Sequence, residues 1–162
     1  MRAFARHGAA VLSSDDVVHR LIAEDADVRA ALEERFGTTE RGRIAEIVFA
    51  DADALAWLEG LLHPRVRRFY RSWLEQVEAD VAAVEVPLLF ETGAEELFDL
   101  VVVVTAPEDV RRARTRVDLE RRSGRLMSDD EKVKRADFAY ANDGSLDELD
   151  TFVASVLDRV RS

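Results

Sequence analysis

Apolar positions along the chain follow two periodicities, and their alternation sets the expected architecture. Ala9 to Leu12 is a short apolar run that ends in Ser13, Ser14, Asp15 and Asp16, behind which Val17, Val18, Leu21 and Ile22 recur at helical spacing. Strand, corner and helix are predicted there, with side chains at the corner that suit an N-cap. The residues ahead of that strand, Met1 to Gly8, read as the tail of a helix and a turn. Asp27 to Phe36 predicts a further short helix closed by Gly37, and Ile44 to Phe49 opens another apolar segment. Asp53 to Leu62 and Val66 to Ala79 each carry an apolar helical stripe. A helix pair interrupted at His63-Pro64 is expected, because proline offers no N–H to the helical ladder.

The second half changes period. Val81 to Leu89 and Leu100 to Thr105 are continuous Val/Leu-rich runs, the pattern of strands buried on both faces of a parallel sheet. Pro87 should mark where the first of them leaves the sheet. Thr105-Ala106-Pro107-Glu108 starts a helix with proline in its first turn, and Phe138 to Ala141 is a last short strand. Ser128-Asp129-Asp130-Glu131 and Ser145-Leu146-Asp147-Glu148 are capping boxes, each opening a helix. Strands alternating with helices predict an α/β domain with a parallel sheet, whose ligands bind at the carboxyl ends of the strands.

Composition narrows the class. The 162 residues fit one domain, and 48% hydrophobic with 35% charged residues describes a soluble globular chain without an apolar run of the roughly eighteen residues that cross a membrane. No cysteine is present, which removes disulfides, thiolate chemistry and Cys-based metal sites, and a cytoplasmic protein is expected. A net charge of −10 argues against a general nucleic-acid binder. Locally the sign reverses: seven arginines crowd Arg111 to Arg125. Guanidinium pairs bidentately with phosphate, so the segment suits a small anionic ligand, while a solvated charged helix face explains it equally well.

Three places could carry chemistry. Asp15 sits at a strand end and helix start, where a carboxylate takes a proton from a hydroxyl, holds a magnesium shell, or simply caps the helix. His63, with Arg67 one turn on, offers an imidazole and a guanidinium to a phosphate, although a lone histidine is more often structural. With only His7, His19 and His63 in the chain, a histidine-based metal site is not expected. VPLLFETG, Val86 to Gly93, takes a buried strand through Pro87 into an apolar loop. Leu88, Leu89 and Phe90 there either wall a pocket or belong to the core, ahead of Glu91.

Taken together, LLHPRV, VEVPLLFETG, FDLVVVVTAPEDVRRAR and RLMSDDEKVKRADFAYANDGS resemble the dephospho-CoA kinase family of P-loop kinases, from Met1 nearly to Ser162. The resemblance implies a P-loop-kinase-like three-layer α/β domain with a parallel sheet, a helical substrate-binding insertion at about 25–80 and a short lid at about 114–128. It implies transfer of the γ-phosphate of ATP to the 3′-hydroxyl of dephospho-CoA, with Mg2+. Asp15 matches the base facing that hydroxyl, while Ser13 stands where the family has another Asp. His63, Pro64 and Arg67 match the substrate domain, and Pro87, Leu88, Leu89, Phe90 and Glu91 the loop beside the acceptor. Arg114, with Arg121 and Arg125, matches the lid over ATP, and Asn142 to Ser145, Gly144 included, the loop beneath adenine.

The same family opens with a strand and a GxxGxGKS/T loop that cradles phosphate, and the sequence holds no such Gly-Lys motif; Lys132 and Lys134 are the only lysines. The expectation is a chain shortened at its start by roughly twenty residues, a strand and a phosphate loop, and weak in catalysis as it stands. A gap should then separate the strands at Val81 to Leu89 and Leu100 to Thr105. The alternative is a kinase-like remnant that binds a CoA-type ligand, a nucleotide or a protein partner without catalysis.

Overall fold

The computed structural model describes residues 1–110 and 127–162, and these group into two compact units: Met1–Val11 with Ala79–Ser162, and Leu12–Glu78. In chain order the elements are α1 (Arg2–Arg6), β1 (Ala10–Ser13), α2 (Ser14–Glu24), α3 (Ala26–Phe36), α4 (Arg41–Ala50) and α5 (Ala52–Gln76). Then follow β2 (Ala82–Glu85), a short 3-10 turn at Glu95–Leu97, β3 (Val102–Thr105), α6 (Asp129–Arg135), β4 (Phe138–Ala141) and α7 (Leu146–Arg161).

The unit Leu12–Glu78 is helical. Its core joins Val28 and Leu32, both fully buried, to Ile22, Ile44, Val48, Ala54 and Leu62, and Phe36 meets Trp57 edge-on at 5.2 Å. Local chemistry sets the boundaries. Asp25 caps α3 by accepting from the Asp27 and Val28 N–H groups, and Gly37, at φ 67°, closes it in the left-handed region that glycine enters without cost. Asp51 caps α5 in the same way.

α5 corrects the expected helix pair. It runs unbroken through Pro64 for 25 residues. Proline costs the one bond that would end on the Gly60 carbonyl. Gly60 is solvent-exposed, so water can take that carbonyl, while Leu62, Val66 and Tyr70 keep a buried stripe on both sides of the proline. Packing of the amphipathic face therefore outweighs one missing bond.

In the other unit, β3 and β4 pair in parallel, with Val102 opposite Phe138 and Thr105 opposite Ala141. β1 pairs with β2, and the Ala10 N–H donates to the Val81 carbonyl at 2.9 Å. β2 and β3 lie in different sheets. Both strands are shorter than their apolar runs. Residues after Glu85 turn away ahead of Pro87, and Leu100 and Val101 precede β3. Burial on both faces is also not met: Val104 is 50% exposed and Leu100 41%. Strand signals there mark composition, not depth. α7 packs on α1 through Val153, Leu157, Ala3 and Ala9, and Phe152 stacks on Tyr140 at 4.8 Å.

Candidate functional site

Asp15 lies in the first turn of α2, and the cap position belongs to Ser13, whose hydroxyl makes no capping bond. The reading of Asp15 as a cap is therefore not met. Its carboxylate is exposed, at the end of the helix where the backbone dipole favours negative charge. Directly before it, Ser14 is buried and its hydroxyl pairs with the Tyr70 hydroxyl of α5 in a short contact. Burial raises the Tyr70 phenol above its ordinary 10.0; the bond to Ser14 pulls it back and the charge of Asp15 pushes it up again.

α2 packs against α5, and α5 carries the cationic half of the unit. His63, Pro64, Arg67, Arg68 and Arg71 line a cleft of about 380 Å³. Positions 63, 67, 70 and 71 fall on adjoining ridges of one helix, so imidazole, guanidinium groups and the Tyr70 ring share a side of α5. Asp15 is not among the cleft's lining residues, but its unit holds both the carboxylate and the cations.

The loop after β2 is folded tightly on itself. The Thr92 hydroxyl donates to the Leu88 carbonyl at 2.7 Å, the Ala94 N–H donates to Leu89 at 2.9 Å, and Gly93 at φ 62° makes the reversal. Pro87 is exposed, Leu88 and Leu89 are half-buried, and Phe90 is buried with the Arg135 guanidinium 4.4 Å above its ring. Glu91 accepts from Lys132 Nζ at 2.9 Å and from the Met127 N–H at 3.0 Å, and Glu95 pairs with Arg135. Burial alone would raise the Glu91 carboxyl. The bonds from Lys132 and from the backbone N–H groups of Glu91 and Met127, with the Lys132 charge, outweigh it and hold it below its ordinary 4.5. One oxygen of each glutamate, Glu91 Oε2 and Glu95 Oε2, is buried without a hydrogen-bond partner among the described residues.

Asn142 follows β4 directly, and its N–H donates to the Thr105 carbonyl at 2.7 Å, so the carboxyl ends of β3 and β4 meet at this loop. Gly144 comes immediately before the capping box of α7, and a Cβ there would run into the Glu148 carboxylate that closes the box. Arg114, Arg121 and Arg125 lie outside the described residues.

Sequence reasoning missed Tyr70, Lys132 and Arg135. Tyr70 had a signal, its seven-residue spacing from His63 on one helix face. Lys132 and Arg135 had none, because their partners, Glu91 and Glu95, are far away in the chain.

The sequence profile described as dephospho-CoA kinase matches residues 1–148. A dephospho-CoA kinase of Brucella melitensis is 38% identical over 170 residues, covering 95% of this chain and 84% of the relative. One from Rhodopseudomonas palustris is 36% identical over 171 residues, with 96% and 85% covered. Among solved structures, a Thermus thermophilus protein superposes with a TM-score of 0.77 at 33% identity, covering 98% of this chain and 88% of the other. The dephospho-CoA kinase of Campylobacter jejuni gives 0.66 at 25% identity, with the same coverage.

Proposed function

The chain belongs to the dephospho-CoA kinase family, a family of ATP-dependent kinases, and from that premise we propose how its residues divide the work. Asp15 accepts the proton of the ribose 3′-hydroxyl. The freed oxygen bonds to the γ-phosphorus of ATP, the bond to the bridging oxygen breaks, and ADP leaves with that electron pair. His63 and Arg67 hold the anionic groups of dephospho-CoA in the α5 cleft, and Leu88 and Leu89 are assigned to the acceptor by the family resemblance alone.

The observation that carries this reading is the placement of Asp15. It stands uncapped and exposed in the first turn of α2, and α2 packs on the helix that bears the cationic cleft. Glu91 serves the same loop by support, since its carboxylate is already engaged by Lys132 and the Met127 N–H. ATP is assigned to Asn142 and Gly144, at the carboxyl ends of two parallel strands, and, by the family resemblance, to Arg114, Arg121 and Arg125.

Magnesium would accompany ATP as the family's chemistry implies. Among the described residues no three His, Asp or Glu side chains gather into a cage, and magnesium normally keeps several waters and takes only one or two protein oxygens. The Ser13 hydroxyl, unused as a cap, is the group of this chain that would orient those waters. Such an ion would supply charge neutralisation for the transferring phosphoryl group.

No helix among the described residues is long and apolar enough to cross a membrane, and a cytoplasmic place of action belongs to the same proposal, where ATP is at hand. The test is ADP formation by the protein expressed from its full reading frame, with Mg-ATP, with and without dephospho-CoA. Turnover that requires dephospho-CoA is expected. Tight binding of dephospho-CoA without turnover would replace the kinase by a binding protein.

A further inference from the structure

Ser14 and Tyr70 form a buried polar contact that the transfer chemistry does not itself use. Ser14 is 8% exposed and Tyr70 2%, and apart from Tyr70 no other residue with a polar side chain is as deeply buried among the described residues. Hydroxyls taken out of water cost stability unless they meet a partner. Phenylalanine at 70 and alanine at 14 would fill much the same space without that demand. What the hydroxyl pair adds is position: it ties the residue next to Asp15 to the side of α5 that carries His63 and Arg67. Ser13, not Ser14, holds the cap position, so the Ser14 hydroxyl is not explained by helix capping.

We propose that Tyr70 is a positioning residue for phosphoryl transfer, holding Ser14 so that the Asp15 carboxylate stands at a fixed place relative to the acceptor bound in the α5 cleft. The inference rests on the reading of Asp15 as the base. Two further observations agree with it. The phenol senses the charge of Asp15, which places the two groups within electrostatic reach, and burial keeps the phenol protonated, so its hydroxyl stays able to donate to Ser14. Positioning of this kind acts on the transition state and not on ground-state affinity, because a small misplacement of a base lowers the rate without loosening the substrate.

The experiment uses Y70F, S14A and the double variant, each with and without D15N, in the protein from its full reading frame. Readouts are kcat, the calorimetric Kd for dephospho-CoA, and the thermal midpoint. Y70F and S14A should each lower kcat on the order of tenfold with the Kd changed by less than about twofold. The double variant should be no slower than the slower single one, since one contact is removed either way. On the D15N background, Y70F should leave the residual rate unchanged. An unchanged kcat with a lowered midpoint in both single variants would reduce the pair to core packing and overturn the proposal, as would an equal further loss of rate on the D15N background. S14A removes only one small hydroxyl, so the test stands even where Y70F folds poorly. Full turnover by D15N would instead remove the assignment of the base, which separates the two failures.

Discussion

A guanidinium and an ammonium differ most where two phosphate oxygens have to be met at once, and Arg67 is the residue of the α5 cleft where that difference should be measured. R67K keeps the charge and loses the planar fork, so the KM for dephospho-CoA should rise about tenfold; R67A should raise it on the order of a hundredfold, the range expected for a hydrogen bond to a charged group. Steady-state kinetics with dephospho-CoA varied at saturating Mg-ATP decides it, and equal KM values for the two variants would deny Arg67 a bidentate role. Glu91 makes a second residue-scale case, in which charge and hydrogen bonding come apart. E91Q still offers an oxygen to the Met127 N–H but gives Lys132 no charge. Because the folded carboxyl titrates below its ordinary 4.5, its contribution to stability is present above that pH and is lost as pH falls through the lower folded value. Wild type should therefore be more stable than E91Q at pH 7, and the gap should close on acidification. Thermal midpoints at pH 7 and pH 3 measure it, and a constant gap would show that the ion pair does not stabilise the loop.

Elements show which features are legible in a sequence and which are not. Cap chemistry was legible: Gly37 closes α3, and Ser128 and Ser145 open α6 and α7 through complete capping boxes, because each signal is spent within three residues of where it is read. β4 also lies where its short apolar run puts it. The break at His63-Pro64 was a local inference defeated by a tertiary cause, the buried stripe of Leu62, Val66 and Tyr70 that holds α5 together across the proline. Long-range pairs, Lys132 with Glu91 and Arg135 with Glu95, leave no local trace. The site divides the same way. Asp15, His63 and Arg67 were readable as candidates, whereas the Ser14–Tyr70 contact required α2 to be laid on α5. That packing rests on the helical core, and Leu32 has no exposed surface in it. L32A should cost about 2–5 kcal/mol, the range for truncating a fully buried leucine, and urea unfolding measures it. A cost below about 1 kcal/mol would mean that the site collapses around the gap and that the core tolerates slack.

At the scale of the whole molecule, a chain of net charge −10 gathers a histidine and three arginines in the α5 cleft. Acidic surface elsewhere repels polyanions, and the α5 cleft offers a small anion a local well of opposite sign. Acid should weaken the fold as a whole. Glu91, Glu131, Glu148 and Asp150 are all held below their ordinary values, Glu131 and Glu148 by capping-box bonds and Asp150 by Arg6 and then His7. The stability each provides is present above its ordinary value, 4.5 for Glu and 3.8 for Asp, and lost as pH falls through its lower folded value. The central chemical proposal is that Asp15 takes the proton of the acceptor hydroxyl. The direct measurement compares kcat and dephospho-CoA binding for wild type and D15N in the protein from its full reading frame. A loss of kcat of about 10²–10⁴-fold is expected, the range for a positioned general base, with dephospho-CoA binding retained. Full turnover by D15N would contradict the claim.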